Sequence, residues 1–356
     1  MTEVDVAVLR EFAAGHRDDM LADLGAYVGR ETPSGDRPRL AEALAWIEGT
    51  LLAPLGAPSS VRKIDGGEQG DIRVLDYPGA GDPVLVLCHY DTVWPVGTLA
   101  ELPFRVDGDT VTGPGVFDMK AGLVQFLWAV RALEAAGLPR PAIRLVLNGD
   151  EEVGSLSSRP AIEEAASGAR AALVFEASAA GAIKTARKGV GIFRVDVHGL
   201  ESHAGLDPTK GASAIDELAR AITTLHALTD LDAGTSVNVG VIGGGTRTNV
   251  KAGHAYGEID VRVSSQEEAA RIDAALAALA PADPRASIEV SGRWNRPVMV
   301  RSDGTGELFA LAAGLAAKMG VALEECAVGG ASDGNFVAAL GLPVLDGFGA
   351  VGDGAH

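Results

Sequence analysis

Histidine, aspartate and glutamate recur in this chain beside short apolar runs. His89 and Asp91 sit in PVLVLCHYD, Asp118 in GVFDMKAG, the pair Glu151-Glu152 in AIRLVLNGDEE, and Glu176 in ALVFEAS; His356 is the last residue. Imidazole nitrogen and carboxylate oxygen, without cysteine, suit Zn²⁺ and also Co²⁺ or Mn²⁺. Two such ions about 3.5–4 Å apart need a bridging carboxylate and enough acids to balance their charge. These residues can supply both. Water held between two cations loses a proton near neutral pH and becomes a nucleophile. A carboxylate beside it can take that proton and return it to a leaving amine. The adjacent glutamates allow the labour to be divided, one on metal and one as base.

The elements around these residues explain how they could meet. Short apolar runs separated by helical stretches read as buried parallel strands, and ligands of open α/β sheets bind at the carboxyl ends of such strands. Strands are expected near 84–88, 142–147 and 171–175, each ending just before a chemistry-bearing residue. Asp118 stands where it could cap a helix over MKAGLVQFLWAVRALEAAG, in which Leu123, Leu127, Val130 and Leu133 share a face and Gly137 with Pro139 signals the stop. Residues 1 to about 56 read as two helical segments broken at ETPSGDRP, followed by a strand-like DIRVLDY.

Near residue 190 the pattern changes. GIFRVDVHG alternates like a half-exposed strand, SAIDELARAITTLHAL is amphipathic, SVNVGVIGG and AYGEIDVRV are strands, QEEAARIDAALAALA is a helix, and ASIEVSGRW closes the set. The order β-α-β-β-α-β is the split βαβ, ferredoxin-like unit. After it the α/β grammar resumes with GELFALAAGLAAKMG and LPVLDGF. The expected fold class is therefore α/β: a mostly parallel-sheet catalytic domain, 1–187 and 297–356, split by an inserted ferredoxin-like domain, 188–296.

Composition narrows the function classes. The 356 residues are 47% hydrophobic and 22% charged, within the range of a globular protein with room for two domains. The formal net charge is -18, spread along the chain, which argues against a nucleic-acid partner. No apolar stretch approaches the roughly 18–20 residues of a membrane span, and the N-terminus lacks the basic and apolar regions of a secretory signal. Two cysteines, Cys88 and Cys326, imply no disulfide framework, so the cytoplasm is the expected compartment.

At HYDTVWPVGT, GPGVFDMKAG, GDEEVGS and GGASDGNF the chain resembles the dinuclear-zinc family of glutamate carboxypeptidase, acetylornithine deacetylase and succinyl-diaminopimelate desuccinylase. The likeness runs from TPSGD at 32–36 to GDGAH at the end, and VWPVGT leans towards the glutamate carboxypeptidase branch. The resemblance implies two Zn²⁺, with His89 and Glu176 on separate metals and Asp118 bridging them. Glu152 and His356 complete one metal's ligands, and Glu151 is the general base. Asp91 would orient His89, a common duty of a carboxylate beside a ligating imidazole. The inserted domain would be the family's lid or dimerisation domain, implying a homodimer. In it, His203 would stabilise the oxyanion, and Asn249 and Arg296 would hold the substrate's carboxylate, a task suited to an arginine fork.

Two features depart from the pattern. NVKAG stands where relatives commonly carry proline, and the resemblance implies a C-terminal helix beyond His356. The leading expectation is a hydrolase cleaving a peptide or N-acyl amide beside a free carboxylate, with C-terminal glutamate a candidate leaving group. An N-acyl amino acid deacylase of the same family and an inactive dimerising relic are the alternatives. His16, His198, His226 and His254 read as structural, and the glycines at 243–245 as a turn, since no Lys-Ser/Thr follows them.

Overall fold

Residues flanked by apolar runs become strand ends because those runs are buried on both sides. The computed structural model describes residues 6–355, and the chain divides into two compact units. One unit runs up to Ala186 and then takes Arg301–Val328 and the chain from Ser332 onward. The other is Arg187–Val300 with Gly329–Ala331.

In chain order, the strands of the first unit begin with β1 (Ser60–Ile64), β2 (Ile72–Tyr77) and β3 (Ala80–His89). A small hairpin, β4 (Arg105–Asp107) and β5 (Thr110–Thr112), comes next, and then β6 (Pro141–Asn148), β7 (Ala171–Val174) and β8 (Ile183–Arg187). The second unit holds β9 (Gly189–His198), β10 (Ser236–Gly244), β11 (His254–Val263) and β12 (Ser287–Arg296), after which β13 (Glu325–Val328) and β14 (Val344–Asp346) return to the first.

The large sheet has the order β1-β2-β6-β3-β7-β14-β8-β13. Its centre, β6-β3-β7-β14, is parallel, whereas β1, β2 and β8 join antiparallel at the margins. Consecutive residues of β3 serve opposite faces, as strand geometry requires. Val86 and Cys88 pack into a cluster with Leu123 and Leu127 of the helix Ala121–Ala135, while Leu85 and Leu87 are equally buried on the other side. That double burial is the reason the run is continuously apolar. The short margin strands SVRKI and IKTAR alternate with charged residues and carry no comparable signal.

Two expectations change. The first helical segment breaks at His16, whose ring stacks on Phe12 at 4.1 Å between centroids. Asp118 does not cap the helix that follows it: Lys120 is the N-cap of Ala121–Ala135, and Asp118 has extended backbone angles, φ -121° and ψ 106°. Its carboxylate oxygen Oδ1 stands 3.1 Å from His89 Nε2. The peptide joining Asp118 to Met119 is cis.

The second unit is an antiparallel sheet in the order β10-β11-β9-β12 with helices Ala214–His226 and Gln266–Ala277. Ser213 and Ser265 cap the two helices by accepting from the Asp216 and Glu268 amides. Val195, Val197, Val261 and Val263 pack with Leu218, Leu225, Ile272 and Leu276 on one face. Arg194 and Asp196 occupy the other, paired at 2.7 Å. Among the described residues no helix is long and apolar enough to cross a membrane.

Candidate metal centre

Strand order brings the site together. β6, β3 and β7 are neighbours and parallel, with His89 opposite Asn148 and Leu87 opposite Val174. Their carboxyl ends therefore line up. His89 closes β3, Asp91 lies two residues on, Glu151-Glu152 open a short turn just past β6, and Glu176 follows β7. Asp118 arrives from the loop before the helix Ala121–Ala135. That helix presses against the end of β7 so closely that a Cβ on Gly122 would fall 1.9 Å from the Phe175 carbonyl oxygen.

His89, Asp118 and Glu176 each place one donor atom within 4.8 Å of the others. His89 is buried, and its two nitrogens face different partners. Nδ1 lies 3.0 Å from the Asp91 carbonyl oxygen, which can only accept, so Nδ1 carries the hydrogen. Nε2 then directs its lone pair at Asp118 Oδ1, 3.1 Å away, and Glu176 Oε1, 3.5 Å away. A lone pair facing two carboxylate oxygens is repulsive unless a proton or a cation lies between. Burial alone would lower the His89 pKa, but hydrogen bonds to Asp118, Asp91 and Glu176 hold it well above its ordinary value. Glu152 shows the same crowding: burial first, then Asp118, Asp91 and Glu176, push its carboxyl up to about 8 despite His89. Nitrogen and oxygen donors in this arrangement fit a divalent cation such as zinc.

Asp91 ties the site to its scaffold. It is almost fully buried, accepts from Ser34 Oγ at 2.7 Å, and accepts from the Glu151 and Glu152 amides at 3.3 Å each. The same carboxylate stands 3.3 Å from His89 Nδ1 and anchors the turn bearing both glutamates. Behind that turn Asp333, buried in GGASDGNF, accepts from Asn148 Nδ2 at 2.8 Å and from Ser155 Oγ at 2.5 Å. Asp150 in turn accepts from the Ser157 and Ser158 amides. Sequence reasoning assigned no role to Ser34 or Asp333. The signal available was only that each lies in a motif rich in small polar residues. Lys120 was also missed: burial pulls its ammonium down to about 7, and it donates to the Arg30 carbonyl at 2.6 Å rather than to the acids.

In the second unit the structure brings His203 and Asn249 together: the Ala204 amide donates to the Asn249 carbonyl at 2.8 Å, and His203 pairs with Val250. His203 Nδ1 accepts from the Gly205 and Leu206 amides at 3.2 and 3.0 Å. Its hydrogen therefore resides on Nε2. Arg296 is elsewhere. It pairs with Val190, whereas the loop bearing Asn249 adjoins His198 and His254 at the far end of β9. Eight residues at about 3.3 Å each separate those ends by roughly 26 Å. Arg296 is also buried, so within one chain it cannot share a carboxylate with Asn249. His356 lies outside the described residues.

A histidine and several acids at the carboxyl ends of parallel strands, with an adjacent glutamate pair, define a metal-dependent hydrolase site. Residues 85–356 match the Peptidase family M20/M25/M40, and the chain belongs to it. It is 31% identical over 359 residues to carboxypeptidase G2 of Pseudomonas sp. (strain RS-16), across 98% of this chain and 86% of that enzyme. It is 27% identical over 289 residues to succinyl-diaminopimelate desuccinylase of Stenotrophomonas maltophilia, across 75% and 76% of the two chains. The solved aminopeptidase PepT of Bacillus cereus superposes with a TM-score of 0.76 at 23% identity, covering 92% of this chain and 88% of that one, a likeness of fold.

Proposed function

We propose that this M20 hydrolase cleaves a peptide or N-acyl amide beside a free carboxylate, with Glu151 as the general base. The observation that carries this reading is the convergence of His89, Asp118 and Glu176 beside a glutamate turn held by Asp91. Two Zn²⁺ are the cofactors the donors suit, with Co²⁺ or Mn²⁺ as substitutes. Asp118 would be shared between them, His89 and Glu176 would serve one each, and Glu152 and His356 would complete one ligand set. When bound, the ions polarise the carbonyl and lower the pKa of water.

The chain's own residues supply the rest. Glu151 takes a proton as the water oxygen bonds to the carbonyl carbon. It returns that proton to the nitrogen as the C–N bond breaks, leaving an acid and an amine. His203 suits an oxyanion donor because its amide contacts keep the hydrogen on Nε2. Asn249, beside it, is the better-supported contact for the substrate's carboxylate.

A homodimer through the second unit is supported by β10, an edge strand of its sheet that exposes Val241 and Ile242. The negative charge disfavours nucleic acid, and two unpaired cysteines suit the cytoplasm. A deacylase is the second reading, since the same groups would cleave an N-acyl amino acid. The test is Glu151→Ala in the zinc-loaded protein. It should retain metal and lose nearly all turnover on C-terminal-glutamate peptides and N-acyl amino acids. Retained turnover overturns the mechanism.

A further inference from the structure

The open face of the second unit's sheet carries two histidines set against one another. His198 ends β9 and His254 begins β11, and the two are register partners, so both side chains leave the same side of the sheet. That side faces solvent, because Val195, Val197, Ala255 and Ile259 take the packed one. The ring centres stand 5.1 Å apart with their planes inclined at 32°. Two imidazoles holding one ion through nitrogens about 2.0–2.1 Å away have ring centres roughly 3.2 Å from it. In adjacent coordination positions those centres are then roughly 4.5–5 Å apart. The pair stands at ligating separation without any movement of the strands.

One ring is also oriented from behind. His254 Nε2 lies 2.9 Å from Asp196 Oδ1, and Arg194 donates to that carboxylate through Nε at 2.7 Å and Nη2 at 3.1 Å. A carboxylate held this way only accepts, so Nε2 carries the hydrogen and Nδ1 of the neutral ring keeps its lone pair. A carboxylate behind one imidazole nitrogen, leaving the other for a cation, is the arrangement that fixes metal-binding histidines in general. The Arg194 charge is answered by Asp196 and by Glu258 at 3.3 Å, and its guanidinium lies 3.8 Å over the Tyr256 ring, so it does not oppose a cation at the pair. Among the described residues no hydrogen bond occupies the His198 ring. Both histidines are exposed, which leaves room for water at the remaining coordination positions.

We propose that His198 and His254 form a surface site for a late divalent transition-metal ion, in the other unit from His89 and independent of the hydrolase reading. Imidazole ligands bind Cu²⁺ in preference to Ni²⁺ or Zn²⁺. The pair is the last rung between β9 and β11, and just beyond it the Gly199 amide donates to the Gly253 carbonyl at 2.8 Å. An ion there would clamp the roots of the two loops that carry His203 and Asn249.

The test titrates Cu²⁺ into the full chain, loaded with zinc and cleared of excess, and follows it by calorimetry and electron paramagnetic resonance. One Cu²⁺ should bind beyond the zinc, with the splitting of two imidazole nitrogens. His198→Ala and His254→Ala should each weaken binding by at least about tenfold and remove that two-nitrogen pattern, while melting with the wild type in zinc. Asp196→Ala should keep both nitrogens and weaken binding about 10–100-fold, as expected for a residue that acts through His254. A one-nitrogen signal in the wild type, or binding of unchanged strength in either histidine variant, overturns the site.

Discussion

Asp91→Asn is the sharpest perturbation of this site because it keeps the side chain's shape and removes one acceptor. The carboxylate receives Ser34 Oγ and the Glu152 amide on Oδ2 and the Glu151 amide on Oδ1. An asparagine has one oxygen, so whichever way it turns, its NH₂ faces a backbone N–H of the glutamate turn. One donor then loses its acceptor and meets another donor. A hydrogen bond to a charged group contributes about 1.5–3 kcal/mol, and leaving a buried donor unsatisfied costs about 1–3 kcal/mol. The amide contacts, at 3.3 Å, are long for N–H···O bonds, so the lower ends apply and the loss should be roughly 2–4 kcal/mol. At roughly 2–4 °C per kcal/mol this lowers the melting temperature of the zinc-loaded protein by roughly 5–15 °C. Zinc affinity should fall about 10–100-fold, the usual effect of losing the carboxylate behind a ligating histidine. Melting with and without chelator, and zinc competition against a chromophoric chelator, measure both. In the stripped protein the change should be smaller, because removing a negative charge relieves the crowding of Asp118, Glu152 and Glu176. Unchanged zinc affinity and kcat in Asp91→Asn would refute the reasoning.

The metal-free protein should also lose stability as pH rises. Glu152 titrates at about 8 when folded against an ordinary 4.5, so the folded state holds the extra proton through that window and its advantage fades as pH climbs. His89, also held above its ordinary value, contributes in the same direction above about pH 6.5. Chelated samples melted at pH 5.5, 7 and 8.5 should show a falling series, and a rising one would contradict the carboxylate crowding. Gly122→Ala should push the helix Ala121–Ala135 off the Phe175 carbonyl and separate Asp118 from Glu176. Zinc binding should weaken together with stability, and wild-type zinc affinity in this variant would count against the close packing. Asp333→Ala removes the acceptor for Asn148 and Ser155, two charge-assisted bonds together worth roughly 3–6 kcal/mol. A change below about 1 kcal/mol in chemical denaturation would show that the network behind the glutamate turn matters little.

The strands that carry the site were legible because their central residues are buried, so that VLVLC, LVL and ALV read as apolar runs with a functional residue at or shortly after each. The margins were not, since β1 and β8 are short and alternate with charge. The βαββαβ order of the second unit was legible for the opposite reason: one open face imposes a period of two on its strands, and its helices carry one apolar stripe each.

Composition, the order of elements and the identity of the metal-type donors belong to the sequence alone, because each depends on residue type and local period. What needed the tertiary structure was every relation between residues distant along the chain. Strand order made His89, Glu151-Glu152 and Glu176 neighbours, and helix packing at Gly122 brought in Asp118, which local propensity had assigned to a cap. Register decided that Arg296 and Asn249 stand at opposite ends of one sheet, although both lie in the same unit. Local pattern records which face a side chain takes; distance across a sheet is set by pairing, and pairing leaves no mark in a single strand.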